Sequence, residues 1–386
     1  MAKIDAFFRL MSSQGASDLH VMAGGAPCLR IHGVIEPIKY HEISNDELLE
    51  MLGEITPEHK MKEFQESGDV DFAYELPGVS RYRANFLRQA NGVGAVFRQI
   101  PEKILTIDQL GLPTIARRFA TMEKGLVLVT GPTGSGKSTT LAAIIDYANR
   151  NRRDHIITIE DPIEFKHKRV GCIVSHREVG HHTRSFATAL RGALREDPDI
   201  IMVGEMRDLE TITLALEAAA TGHLVFGTLH TQSATKTIDR IIDVFPTDAK
   251  EQVRTTLSES LKGVISQSLL KRIDNKGRIA ALEIMVGTPA MAAMIREGKS
   301  HLLQNVIQTG KKLGMRTLDD SIEELIQRKV VSPEEAFERC VSKERFVKYL
   351  SSVPEEWQEV LSKEKSDDAP KASSLKQARP SYAAAR

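Results

Sequence analysis

The chemistry of this chain is concentrated in the run from Gly125 to Thr140. Gly131, Pro132, Thr133, Gly134, Ser135, Gly136, Lys137 and Ser138 fit G-x-x-x-x-G-K-[ST] at every fixed position. The three glycines let backbone N–H groups turn inward around phosphate oxygens. Lys137 is spaced to reach β- and γ-phosphates, and the Ser138 hydroxyl to ligate Mg²⁺, with Thr139 next in the same turn. ATP and Mg²⁺ are therefore the expected ligands. A glycine-rich turn that binds nothing is the plain alternative, and the flanking sequence opposes it. Leu126 to Thr130 is apolar and β-branched, as a short buried strand would be. From Thr139 to Tyr147, Leu141, Ala142, Ile144 and Ile145 mark a helix whose amino terminus adds positive potential at the loop.

A nucleotide-hydrolysing site also needs acids near the metal and the attacking water. Two apolar runs end in them. Residues 155–159 lead into Glu160, Asp161 and Glu164, and residues 200–203 lead into Gly204 and Glu205. In a parallel sheet these ends lie beside the phosphate loop. Acids after strands also serve as helix caps, and Asp161 before Pro162 also suits a simple turn. A fourth apolar run, from His223, ends at Thr228 and His230. His230 could sense the γ-phosphate or couple subunits, or be a structural histidine. Arg184, Arg191, Arg195 and Arg207 form a row. Arg191 and Arg195 share a helical face, which is either solvated or offered to a nucleotide on a neighbouring subunit. Their place just before the run at 200–203 puts them near the active-site edge of the sheet.

The chain of 386 residues has room for two cores, and its 52 Lys and Arg balance its 52 Asp and Glu. Zero net charge, with no basic stripe carrying aromatics, argues against nucleic acid as a partner. Cys28, Cys172 and Cys340 are isolated, which supports neither a zinc site nor a disulfide framework. No apolar run is long enough to span a membrane, and the start from Met1 to Arg9 lacks a signal-peptide core, so a cytoplasmic location is expected.

The elements that must hold these residues fall into two sets. Residues 3–14 read as an amphipathic helix burying Ile4, Phe7, Phe8 and Met11. Residues 17–23, 29–37, 69–74, 81–87 and 94–100 read as strands, with a capping box at Ser44 and Glu47 and a second helix over 56–66. This is a small α/β domain over 1–100, followed by a linker over 101–113. Strands at 126–130, 155–159, 200–203 and 224–228, with helices between, then predict a doubly wound α/β core. The chain beyond 247 reads as mainly helical, with a polar hairpin at 274–278. The ATPase part is placed at 114–350 and a mostly disordered tail at 351–386.

These segments together bring out a resemblance. The phosphate loop, Ile159 to Glu164, Ala193 to Ile200, Gly204 to Asp208 and Thr221 to Thr231 resemble the secretion ATPase superfamily, and within it the retraction ATPases of type IV pili. The likeness covers roughly residues 3–345. It implies a PAS-like N-terminal α/β domain plus a RecA-like P-loop ATPase domain with C-terminal helices, assembled as a homohexamer. It implies functional acids at Glu160, Asp161 and Glu164, a metal-supporting acid at Glu205 beside Ser138, and paired histidines at His223 and His230. Arg195 is the expected arginine finger, and Arg83 and Arg98 are further nucleotide contacts. The partners it implies are an inner-membrane pilus platform protein and a paralogous accessory retraction ATPase, at the inner face of the cytoplasmic membrane. Ala292 and Ala293 stand where retraction members carry Arg and Asn, so pilus extension and an accessory role are kept as alternatives. A nucleic-acid translocase and a ring that binds ATP without turning it over are the competing classes.

Overall fold

The computed structural model describes residues 2–31, 33–100, 103–274, 277–352, 354 and 357. The tail expected from 351 onward falls outside the described residues, apart from 351, 352, 354 and 357. The chain divides into two compact units, residues 1–269 with 280–321, and residues 270–279 with 322 onward.

The first unit contains two sheets. The N-terminal one is built from β1 (Asp18–Met22), β2 (Cys28–Ile31), β3 (Val34–Pro37), β4 (Asp69–Leu76), β5 (Ser80–Gln89) and β6 (Gly92–Ile100), in the order β3-β2-β1-β6-β5-β4. Every neighbouring pair is antiparallel. The stretch 29–37, which reads as one strand, folds back on itself because Gly33 takes a φ of 92° between β2 and β3. Three helices accompany the sheet: α1 (Asp5–Ser13), α2 (Asn45–Gly53) and α3 (Glu58–Ser67). Ser44 caps α2 by accepting from the Glu47 N–H, as its sequence position predicts. Helix α1 buries Phe7, Phe8 and Met11. The Phe8 ring stacks on Tyr82 at 4.2 Å and meets Phe97 edge-on at 5.0 Å.

The second sheet comprises β7 (Gly125–Thr130), β8 (His155–Glu160), β9 (Ile173–Glu178), β10 (Ile200–Val203), β11 (Leu224–Leu229), β12 (Leu261–Lys271) and β13 (Arg278–Val286), in the order β13-β12-β7-β11-β10-β8-β9. From β12 to β9 every pair is parallel. The helices between strands include α4 (Ile115–Ala120), α5 (Lys137–Asn151), α6 (Phe186–Ala193), α7 (Leu209–Thr221), α8 (Ala234–Asp243), α9 (Lys250–Ser260) and α10 (Pro289–Arg296). Strands β7, β10 and β11 are buried along their whole length. Parallel strands covered on both faces read as continuous apolar runs, and these do.

Three strands go beyond what the sequence predicts. The region after 247 is mainly helical, as expected, but β12 and β13 add two strands beyond β7. The expected polar hairpin at 274–278 falls between these two strands, with residues 275 and 276 outside the described residues. Strand β12 is buried on both faces over most of its length, so no alternation betrays it, and a run of this kind reads equally as buried helix. Strand β9 lies at the sheet edge and carries Ser175, His176 and Arg177, a polar pattern that gives no strand signal.

In the second unit, α11 (Pro333–Arg339) is capped by the Ser332 side chain on the Glu335 N–H. Glu323 there is paired with Arg345 and Lys348 and accepts from the Tyr349 hydroxyl at 2.5 Å. Those partners, the Tyr349 hydroxyl first, hold its carboxyl well down, at about 2.

Candidate nucleotide-hydrolysis site

The loop from Gly131 to Gly136 joins the carboxyl end of β7 to the amino end of α5. Gly131, Gly134 and Gly136 take φ values of 144°, 75° and 86°. At Gly131 the requirement is also steric: a Cβ there would lie 2.3 Å from the Gln267 carbonyl oxygen. The backbone can make this turn only without a side chain. Lys137, 9% exposed, donates from Nζ to the Gly131 and Pro132 carbonyls at 3.0 and 3.1 Å. Burial lowers its pKa, while the charges of Glu205 and Glu164 oppose the shift. Both acids are therefore within electrostatic reach of the loop lysine.

The parallel register explains why. Val203 pairs with Ile159 and Gly227, and Leu229 with Thr130. The carboxyl ends of β8, β10 and β11 thus line up beside the end of β7. Glu205, just past β10, is ion-paired with Arg207 and lies 3.0 Å from His230 Nε2. The other ring nitrogen of His230 lies 3.4 Å from the Thr133 hydroxyl. A polar chain therefore runs from the phosphate loop through His230 to Glu205. Burial pushes the Glu205 carboxyl up, but Arg207 and His230 outweigh it and hold it below its ordinary value. Glu205 is an ionised acceptor.

Glu160 contrasts with it. At the end of β8 it is buried, and burial lifts its carboxyl to about 7 against the hydrogen bonds that stabilise the charged form. Its Oε2 accepts from the Glu164 N–H at 3.1 Å, while Oε1 has no hydrogen-bond partner among the described residues. Glu164 itself is exposed. Asp161 is raised by burial, with the Arg83 charge acting against the rise.

The sequence model described as Type II/IV secretion system protein matches residues 2–338. The chain belongs to that family. Within it, the chain is 53% identical over 335 residues to the type IV pilus retraction ATPase PilT of Pseudomonas aeruginosa, covering 87% of this chain and 97% of that protein. It is 40% identical over 334 residues to the type IV pilus ATPase PilU of the same organism, covering 86% and 87%. A crystal structure of the pilus retraction motor PilT with bound ADP superposes with a TM-score of 0.83 at 43% identity, covering 89% of this chain and 98% of that one.

Not every residue singled out in the sequence converges on this family's phosphate loop. His223 immediately precedes β11, and its Nδ1 lies 3.1 Å from the Ala218 carbonyl. It sits at the opposite edge of the sheet from His230, about 20 Å away along the strand. Arg191 and Arg195 precede β10, and for Arg195 the expectation that this puts it near the active-site edge is corrected by the fold, whereas Arg191 reaches the first turn of α7, which starts after β10. The residues before a parallel strand lie at the opposite edge from those after it. Arg195 is exposed, and the next carbonyl, that of Glu196, meets His155 at the start of β8, 3.0 Å from its Nδ1. Arg195 does not belong to the site of its own chain. Arg191 is ion-paired with Glu210. Arg207 is at the site, paired with Glu205 of the same chain. In the N-terminal sheet, Arg83 lies 3.6 Å from Asp71 and Arg98 binds Asp18 at 2.8 Å.

Two site contacts carry no signal in the sequence. Gln267 on β12 donates to the Ser135 carbonyl at 2.5 Å and accepts from the Thr140 hydroxyl at 2.9 Å, clamping the loop to α5. Arg81 on β5 donates to the Ile163 carbonyl, inside the loop that carries Glu164, at 2.7 Å.

Proposed function

We infer that this chain is an ATPase that powers type IV pilus retraction. It has the fold of the retraction motor PilT, an N-terminal domain followed by a RecA-like ATPase domain, and it is 53% identical to PilT over 335 residues, most of both chains. The observation that carries the chemistry is the link from Thr133 in the phosphate loop through His230 to the ionised Glu205.

In this reading the N–H groups of Gly131 and of residues 133–139, with the Lys137 ammonium, hold the β- and γ-phosphates of ATP. Moving Lys137 from the loop carbonyls onto phosphate exchanges two neutral acceptors for an anion. The Ser138 hydroxyl and the Glu205 carboxylate are hard oxygen donors, the type Mg²⁺ takes together with phosphate oxygens and water. They would hold the metal, which neutralises charge on the phosphates. Glu205 orients the attacking water, and Glu164 and Glu160 supply the second acidic wall. His230 reports the state of the γ-phosphate to Glu205. The water oxygen bonds to the γ-phosphorus as the bond to the ADP oxygen breaks, giving ADP and phosphate.

The working form in this reading is a homohexamer of subunits divided into residues 1–100, a link over 101–113 and an ATPase part over 114–350. Arg195, on the far edge of its own sheet, acts on the nucleotide of a neighbour. The ring works at the cytoplasmic face of the inner membrane on a pilus platform protein, alongside a paralogous ATPase. Among the described residues no helix is long and apolar enough to cross a membrane, so attachment runs through such partners. Deleting the gene and imaging pili tests the reading. Hyperpiliated cells that cannot twitch are expected. Bald cells would make this an extension motor, the alternative that Ala292 and Ala293 keep in view.

A further inference from the structure

The loop that carries Glu164 is held from outside its own sheet. Arg81, 8% exposed, projects from β5 of the N-terminal sheet and donates from Nη1 to the Ile163 carbonyl. The N–H of the same Ile163 goes to the Glu178 carboxylate at 3.0 Å, and Glu178, at the end of β9, is 5% exposed. That carboxylate also lies 3.6 Å from Arg81 Nη2. Both polar groups of one residue are thus captured by two buried, oppositely charged side chains that face each other. One residue on, the Glu164 N–H is fixed by Glu160. A second tether joins the same two segments, since Lys166 is ion-paired with Glu75, the β4 residue that pairs with Arg81 in the sheet. The backbone is pinned on both sides of the exposed Glu164.

Burying an arginine against a backbone carbonyl is an expensive way to join two domains, because the cation must leave water. Apolar contacts would serve adhesion alone. What the cation adds is a directed bond to a single carbonyl, so the position of the N-terminal sheet fixes the position of the acidic loop.

We propose that Arg81 is a positioning residue for hydrolysis: through Ile163 and Glu178 it sets the loop that carries Glu164, so turnover depends on how the N-terminal sheet is seated. The proposal rests on the ATPase reading above. A displacement of an acid by about 1 Å costs up to about 10²-fold in rate without touching the phosphate-binding groups. If Arg81 were only adhesive, its loss would lower stability and leave the turnover of the folded enzyme unchanged.

The test uses the full-length chain, measuring ATP turnover, the Kd of a fluorescent ADP analogue, and thermal melting. Arg81→Met keeps the stem and removes every donor. It is expected to lower kcat by about 10- to 100-fold, with KM and the ADP-analogue Kd within about threefold of wild type. In an Arg81→Met/Glu164→Gln double variant, kcat should fall no further than in Glu164→Gln alone, because Arg81 acts through that acid. Unchanged kcat in Arg81→Met, equal loss of analogue affinity and turnover, or additive losses in the double variant would each overturn the proposal. Should Arg81→Met not fold, Glu178→Gln decides: it keeps an acceptor for the Ile163 N–H and removes the charge facing Arg81. A kcat-selective loss there supports the clamp, and wild-type kcat overturns it. Wild-type chain without ATPase activity would overturn the functional reading and the clamp together, whereas an active wild type with an equally active Arg81→Met chain defeats the clamp alone.

Discussion

Glu205 and Glu164 follow strands of one parallel sheet, yet they are held by different parts of the chain. Glu205 is fixed from within: Arg207 lies two residues on, and His230 ends the neighbouring strand. The loop of Glu164 is fixed from across, by Arg81 of the antiparallel sheet. The difference teaches which half of the site is intrinsic to the parallel core and which is conditional on another domain. A group held by its own sheet keeps its place whenever that core is folded. A group held by a second domain moves when that domain moves, and a motor needs some such conditional contact to couple chemistry to motion.

Substitutions can break this comparison, and the largest effect belongs to the intrinsic half. Lys137→Ala removes the loop cation that balances developing phosphate charge. Turnover should fall by about 10³-fold or more, since one positioned donor alone is worth about 10²–10³. ATP hydrolysis measured by phosphate release checks it, and near-normal turnover would show that the loop binds no phosphate. Glu205→Gln separates binding from chemistry. The amide cannot match the ionised carboxylate that Arg207 and His230 stabilise, so kcat should drop by about 10²-fold while the Kd for ADP holds. Equal loss of both would make Glu205 a structural residue.

A smaller effect is expected one layer further from the reacting atoms. Gln267→Leu leaves the Ser135 carbonyl and the Thr140 hydroxyl without their buried partner, at a cost of about 1–3 kcal/mol. The melting temperature should fall by a few degrees and kcat/KM by about tenfold. Calorimetry together with steady-state kinetics measures both. A Gln267→Leu chain that melts like wild type would show that the loop needs no clamp from β12.

What the sequence reveals follows the same division. The phosphate loop, β8, β10 and β11 are legible because each is a short apolar run ending in a polar group whose chemistry is specific. The parallel arrangement then brings Lys137, Glu205 and His230 together without further information. Strand β12 is hidden because burial on both faces erases alternation, and with it goes Gln267, whose partner Ser135 is 132 residues away. Arg81 carries no signal either: it is one arginine in an alternating strand, and its acceptor Ile163 lies 82 residues on. Arg195 misleads for a simpler reason. Nearness in sequence to a strand does not say which end of the sheet a residue occupies, and residues before and after a parallel strand lie on opposite edges.

The expected effect furthest from turnover is on stability alone and concerns Glu160, where the intrinsic and the conditional halves touch. Its carboxyl ionises near 7 in the folded chain against an ordinary value of 4.5. Between those values the folded chain keeps a proton that the unfolded chain has released. Raising the pH through this window therefore favours the unfolded state, and the cost is complete above about 7. At about 1.4 kcal/mol for each pH unit between 4.5 and about 7, the whole span amounts to roughly 3.5 kcal/mol at most. Glu160→Gln removes the titration while its side-chain oxygen can still accept from the Glu164 N–H. Relative to wild type, the Gln variant should gain stability steadily from about pH 4.5 to about pH 7 and hold that gain above it, as read by denaturant unfolding of nucleotide-free protein. Parallel stability curves for the two chains across that range would mean that Glu160 is solvated in the folded protein. The orphaned Oε1 would then be in contact with water, and the acidic wall beside Glu164 would carry its full charge at neutral pH.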